Sequence, residues 1–163
     1  MFKNKHFIVA LIVAPILAII AYFGIDIALS EKPQAAKKGE TYKLVSKSNC
    51  RYTSGLCDME NGDFKIQFRS DALTTEQLAL SLKAVIPLQG IKVSLVDHEQ
   101  DQGSPIAMTA TDSSAQQWQV ELPAPQSQES WLRVAVQAND SVYYGDTQTV
   151  FVVYETLLDQ EDE

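Results

Sequence analysis

The chain has 163 residues, a formal net charge of −8 and 45% hydrophobic residues. Its far half is strongly acidic, with 13 acidic residues and one basic residue, Arg133, in residues 93–163. A field of that sign repels nucleic acid, and no basic stripe with interleaved aromatics offsets it, so nucleic-acid binding is excluded as an expectation.

Residues 1–6, MFKNKH, form a short head bearing Lys3 and Lys5. Residues 7–25, FIVALIVAPILAIIAYFGI, follow without a charge. A helix of that length covers roughly 28 Å, close to the ~30 Å hydrocarbon core of a bilayer. It is apolar all round, where a helix of a soluble domain shows a polar stripe. The expectation is a single transmembrane helix in the inner (cytoplasmic) membrane. The basic head would stay in the cytoplasm and the rest of the chain would lie in the periplasm. A cleaved signal is the rival reading, because Ala28, Leu29 and Ser30 offer small-x-small spacing. The apolar run exceeds the ~7–15 residues of a signal peptide, which favours an uncleaved signal-anchor. Asp26, just past the run, reads as a solvated helix end at the interface rather than an intramembrane functional carboxylate.

Residues 26–40 form a linker, polar and aperiodic over SEKPQAAKKGE. A β domain is expected over residues 41–155. Its first strand is TYKLVSK, where Tyr42 and Leu44 alternate with polar neighbours. Cys50 and Cys57 then enclose a six-residue loop containing Gly55. Two cysteines cannot close a zinc site, and a redox pair would read C-x-x-C, so the spacing suits a structural disulfide in an exported domain.

Alternation with a period of two recurs in six further segments. The inward sets are Phe64, Ile66 and Phe68; Leu78, Leu80 and Leu82; Ile91, Val93 and Leu95; Trp118, Val120 and Leu122; Leu132, Val134 and Val136; and Val150, Val152 and Tyr154. Residues 70–77, SDALTTEQ, read as a turn before a strand. Many short alternating segments separated by turn residues mean antiparallel sheets with one buried face. The expected fold is therefore all-β, an immunoglobulin-like antiparallel β-sandwich preceded by one N-terminal transmembrane helix, with a small barrel as the alternative. Residues 156–163 form an acidic tail.

Two resemblances bear on this. DSVYYG, residues 140–145, resembles the D-x-x-x-Y-x-C corner of immunoglobulin variable domains, with Tyr143 or Tyr144 as the corner tyrosine and Gly145 in place of the cysteine. One membrane helix, then WQVELP (118–123) and WLRVAVQ (131–137) near the end of a sandwich, is similar to the FixH-like and YtkA-like periplasmic proteins. Residues 128–130, QES, stand where those proteins tend to show a glycine before the Trp. That similarity implies a membrane-anchored sandwich assisting a membrane complex, such as the cytochrome oxidase whose assembly involves FixH. It carries no functional residue across.

Candidate chemistry is sparse. VDHEQDQGSP, residues 96–105, sets oxygen ligands at Asp97, Glu99 and Asp101 before Gly103. A calcium loop then fails, because the glycine falls one place late and Met108 stands where the bidentate Glu belongs. His98 with Met108, and Met59 as a third ligand, could in principle take copper, but Met108 alternates with Ile106 and Ala110 like core filler. No Gly-x-Ser-x-Gly elbow or phosphate-cradling Gly-rich loop exists, and a catalytic triad would have to be built on His98. Trp131 alternates out of phase with Leu132, Val134 and Val136, so it either faces outward beside Tyr143 or Tyr144 as a partner-binding anchor or plugs the end of the sandwich. The expectation is a non-enzymatic accessory or interaction protein without a cofactor, attached to the membrane through residues 7–25 and meeting a protein partner in a membrane complex. Periplasmic copper handling is the alternative.

Overall fold

A computed structural model describes residues 5–29 and 39–155. Residues 1–4 of the head, most of the linker and the acidic tail lie outside these residues, as do the side chain of Asp26 and the Ser30 end of the small-x-small site. The chain forms two compact units, one on each side of Pro33 and Gln34.

The first unit is helix α1, Lys5–Leu29, with Pro15 inside it. Its backbone extends four residues past the apolar run read from the sequence, to about 37 Å at 1.5 Å per residue. The side chains described in it are Val9 and those of residues 11–22, all exposed. Among the described residues, no helix is long and apolar enough to cross a membrane. The run of described side chains is shorter than the 25-residue backbone of α1.

The second unit is a sandwich of two sheets with no closed barrel. Its strands are β1 (Thr41–Lys43), β2 (Val45–Ser46), β3 (Leu56–Asn61), β4 (Phe64–Leu73), β5 (Gln77–Ala84), β6 (Gly90–Val96), β7 (Ile106–Ala107), β8 (Thr109–Ala110), β9 (Gln117–Pro123), β10 (Trp131–Ala138) and β11 (Ser141–Gln148). The first sheet has the order β1-β11-β10-β6-β7 and the second β2-β3-β4-β5-β9-β8. All pairs are antiparallel except β1 with β11.

The alternation in the sequence sets the core. Phe64, Ile66, Phe68, Leu78, Leu80 and Leu82 from the second sheet meet Ile91, Val93, Leu132, Val134 and Val136 from the first. The β10–β11 hairpin turns at Asn139 (φ 50°) and Asp140 (φ 60°), two residue types that tolerate the left-handed region demanded by the tightest hairpin turns.

At each side of the sandwich a strand changes sheets. β1 leaves the first sheet at Leu44 and continues as β2 in the second, and β7 does the same at Met108 to become β8. Both pivot residues are buried. The expected single strand over residues 41–47 is therefore two strands sharing an inward side chain. The same geometry explains Gly145. A Cβ there would fall 2.6 Å from Met59 Cε and 2.9 Å from Leu44 Cβ. Met59 Cε can swing aside, but Leu44 is fixed by its backbone bond to the Tyr144 carbonyl at 2.6 Å. Gly145→Val is expected to lower stability by about 1–3 kcal/mol through overpacking. Urea unfolding of the chain, followed by tryptophan fluorescence, measures this; an unchanged midpoint would rule out the tight approach.

Three local expectations change. Residues 56–61, whose first two positions were read as the end of the cysteine loop, form β3, with Cys57 and Met59 pointing inward. β4 runs on to Leu73 through an irregularity between Ser70 and Ala72, so the turn before β5 shrinks to residues 74–76. The closing strand on Val150, Val152 and Tyr154 is replaced by a 3₁₀ turn, Thr149–Val152. In that turn Phe151 is fully buried while Tyr154 is 67% exposed. The run VFVVY is apolar at every position, so the alternation read there had no polar residue to set its phase. Thr149 ends the strand by giving its N–H to Ser130 O (2.8 Å) and its hydroxyl to Ser127 O (3.0 Å), which bends the chain over the end of the sandwich.

Candidate functional site

Side chains on a strand alternate between faces, so the pairing register assigns each candidate. Val136 pairs with Tyr143, and both point inward. Tyr143 is 4% exposed, with its ring 3.9 Å from that of Phe64 and 5.5 Å from that of Tyr42. Burial, and to a lesser extent Tyr42, pushes its phenol pKa up. Tyr143 is thus a core aromatic and offers no surface to a partner. Tyr144, its neighbour, pairs with Ala135 on the outer face and is 46% exposed. Trp131 lies on the same outer face and is half-buried.

The outer face of the first sheet carries two neighbouring rows across β6, β10 and β11. One is Ser94, Arg133 and Asp146, and the other Lys92, Ala135 and Tyr144. Residues 97–105 fold back over the first row. Arg133 Nη1 donates to Asp101 O at 2.6 Å and Nη2 donates to Glu99 O. Asp101 Oδ2 in turn accepts from His98 N at 2.9 Å. The lone cation of the acidic half therefore straps the acidic loop to the sheet through backbone carbonyls. Gly103 makes the approach possible, because a Cβ there would fall 1.8 Å from Ser94 Oγ and 2.7 Å from Val96 Cγ1. Under this cover Ser94 and Val96 are buried although they sit on the outer face, and Ser94 Oγ has no hydrogen-bond partner among the described residues. Beside the strap a groove of about 390 Å³ remains, with Ala135 in its floor and Lys92, Tyr144, Asp146 and Pro105 around it.

The outer face of the second sheet differs. Glu60 there pairs with Lys47 at 2.6 Å and Lys65 at 3.7 Å, and Asp58 accepts from Gln67 Nε2 at 2.7 Å and Asn49 Nδ2 at 2.9 Å. These charges are already matched. The Lys47 hydrogen bond, aided by both lysine charges, holds the Glu60 carboxyl below its ordinary range. A depressed folded-state pKa contributes stability above the unfolded value, and that contribution is lost as pH falls through the folded one. Glu60→Gln is therefore expected to flatten the acid side of the stability–pH curve slightly. Urea midpoints between neutral pH and pH ~3 test this against the ~3.9–4.3 of free carboxylates; parallel curves for both proteins would refute the pairing.

Cys50 and Cys57 form the disulfide, with Cα atoms 4.3 Å apart. The metal candidates are not gathered. His98 is exposed on the strapped loop, whereas Met59 and Met108 are packed in the core. Among the described residues no group of three or more His, Cys, Asp or Glu side chains could hold a metal ion. Sequence reasoning missed Lys92, Ser94, Ala135 and Asp146. The signals were the solitary Arg133 and the smallest side chain, Ala135, in an outward row.

No family model matches the chain, and no curated protein matches it. A solved structure described as "Crystal structure of Br derivative BhCBM56" aligns with a TM-score of 0.37 at 13% identity, covering 53% of this chain and 89% of that one. The likeness is too loose to carry residues or function across.

Proposed function

We propose that this chain is a non-enzymatic interaction protein of a bacterial envelope, anchored in the cytoplasmic membrane by α1. In this reading its sandwich, immunoglobulin-like in the sense of the D-x-x-x-Y corner, stands in the periplasm and docks onto a membrane complex. The resemblance to FixH-like and YtkA-like proteins points the same way. The observation that carries the reading is the uncharged apolar run of residues 7–25, whose described large side chains are exposed. Water does not tolerate that surface and a bilayer does. The Cys50–Cys57 bridge suits the oxidising side of the membrane. Copper handling draws no support from the geometry, since His98 and the two methionines occupy different environments.

The docking face is the outer side of the first sheet, which carries Trp131 and Tyr144. A photo-reactive amino acid placed at position 144 in native membranes is expected to capture a partner. The same probe at Gln119, exposed on β9 of the other sheet, is expected to capture none. Capture at 119 alone would reverse the assignment of faces. Protease treatment of spheroplasts is expected to digest the sandwich; a protected sandwich would remove the periplasmic reading. Copper titration of the purified chain is expected to be the same before and after His98→Ala.

A further inference from the structure

Beyond partner docking, we propose that the groove on the outer face of the first sheet binds a small zwitterion with an apolar body, of the size and chemistry of a free amino acid. Lys92 and Tyr144 flank Ala135 one strand away on either side. Strands lie ~4.8 Å apart, so the two flanking Cα atoms are about 10 Å apart with only a methyl group between them. That is the origin of the slot, and its volume of about 390 Å³ falls within the ~300–1,000 Å³ of small-molecule sites.

The charges on its walls are of opposite sign and on opposite sides. Lys92 belongs to β6 and Asp146 to β11, two strands and two residues apart, or about 12 Å between Cα atoms. Neither makes an ion pair or side-chain hydrogen bond among the described residues. Arg133, at the strapped end, has its guanidinium fixed by the two loop carbonyls. A ligand with one charge would leave one wall unmatched, whereas a zwitterion satisfies both.

In the bound state the ligand's carboxylate lies between Lys92 and the strap, its ammonium faces Asp146 and its apolar side chain lies on Ala135 against the Tyr144 ring.

The test is a ligand-observed NMR titration of the full chain in detergent with three probes: phenylalanine, N-acetylphenylalanine and phenylalaninamide. Phenylalanine is expected to saturate, and each derivative, lacking one charge, to bind about tenfold more weakly or worse. Lys92→Ala should erase the advantage of phenylalanine over phenylalaninamide, and Asp146→Asn its advantage over N-acetylphenylalanine. Ala135→Leu, at an exposed position that folding does not depend on, should fill the slot and abolish binding of all three. Equal binding of the three probes, no saturation by phenylalanine, or binding that survives Ala135→Leu would each overturn the proposal. No partner protein is present in this titration. Its failure would leave the cross-linking at position 144 untouched, and failure of the cross-linking would leave the titration standing.

Discussion

Phe151→Ala is expected to cost about 3–5 kcal/mol of folding stability, while Val150→Ala costs well under half as much. Phe151 is fully buried, with its ring centroid 6.5 Å from that of Phe68, and Val150 beside it is only partly covered. The ring closes one end of the space between the sheets. Its removal leaves a void that the surrounding strands cannot fill, since their positions are fixed by pairing on both sides. The contrast between neighbours is the informative part. A strand over residues 150–154 would bury Val150 and expose Phe151, so the ranking would invert. Urea unfolding of both variants followed by tryptophan fluorescence decides it, because Trp118 and Trp131 both report on the sandwich.

Loss of the disulfide is the second large effect. The paired change Cys50→Ala and Cys57→Ala is expected to lower stability by about 2–3 kcal/mol, the chain-entropy value for a loop this short. Both cysteines are buried, so alanine fills most of the space without stranding a polar group. The folded loop should keep its place. Asn49 brackets Asp58 by accepting from its N–H at 3.2 Å and donating to its carboxylate at 2.9 Å. Gly55, at φ +72°, donates to Phe151 O at 2.9 Å and accepts from Ser70 N at 2.9 Å. Ser70 Oγ donates to Val152 O at 2.7 Å. The loop is thus sewn to the segment that carries Phe151. Hydrogen exchange at Gly55 should accelerate by about the same factor as global unfolding, since what changes is the freedom of the unfolded chain. Faster exchange at Gly55 alone would mean that the bridge holds the folded loop instead, and an unchanged urea midpoint would show that it stabilises nothing.

Much of the sandwich was legible because its strands bury one face only. Phe64, Ile66 and Phe68, and likewise Leu132, Val134 and Val136, spell out their orientation in the linear sequence, and the structure places all six in the core. The cysteine pair was legible from its spacing. Legibility failed where alternation was absent or misleading. VFVVY has no polar position to set a phase. β3 was hidden because the cysteine loop drew its first residues into the loop reading. Ser94 and Val96 keep the parity of outward residues yet are buried, because the loop that follows them folds back and lies on them.

The sequence by itself determined the apolar helix, the acidic far half, the disulfide and the two-faced strands, because each depends on neighbours within a few residues. Only the tertiary structure decided that Tyr143 belongs to the core and Tyr144 to the surface, since one step along a strand reverses the face and only pairing fixes the phase. Only it showed that Arg133 straps residues 97–105 across β6 and leaves a groove over Ala135. Those contacts join residues about thirty positions apart, and no local pattern encodes which outward side chain a returning loop will cover.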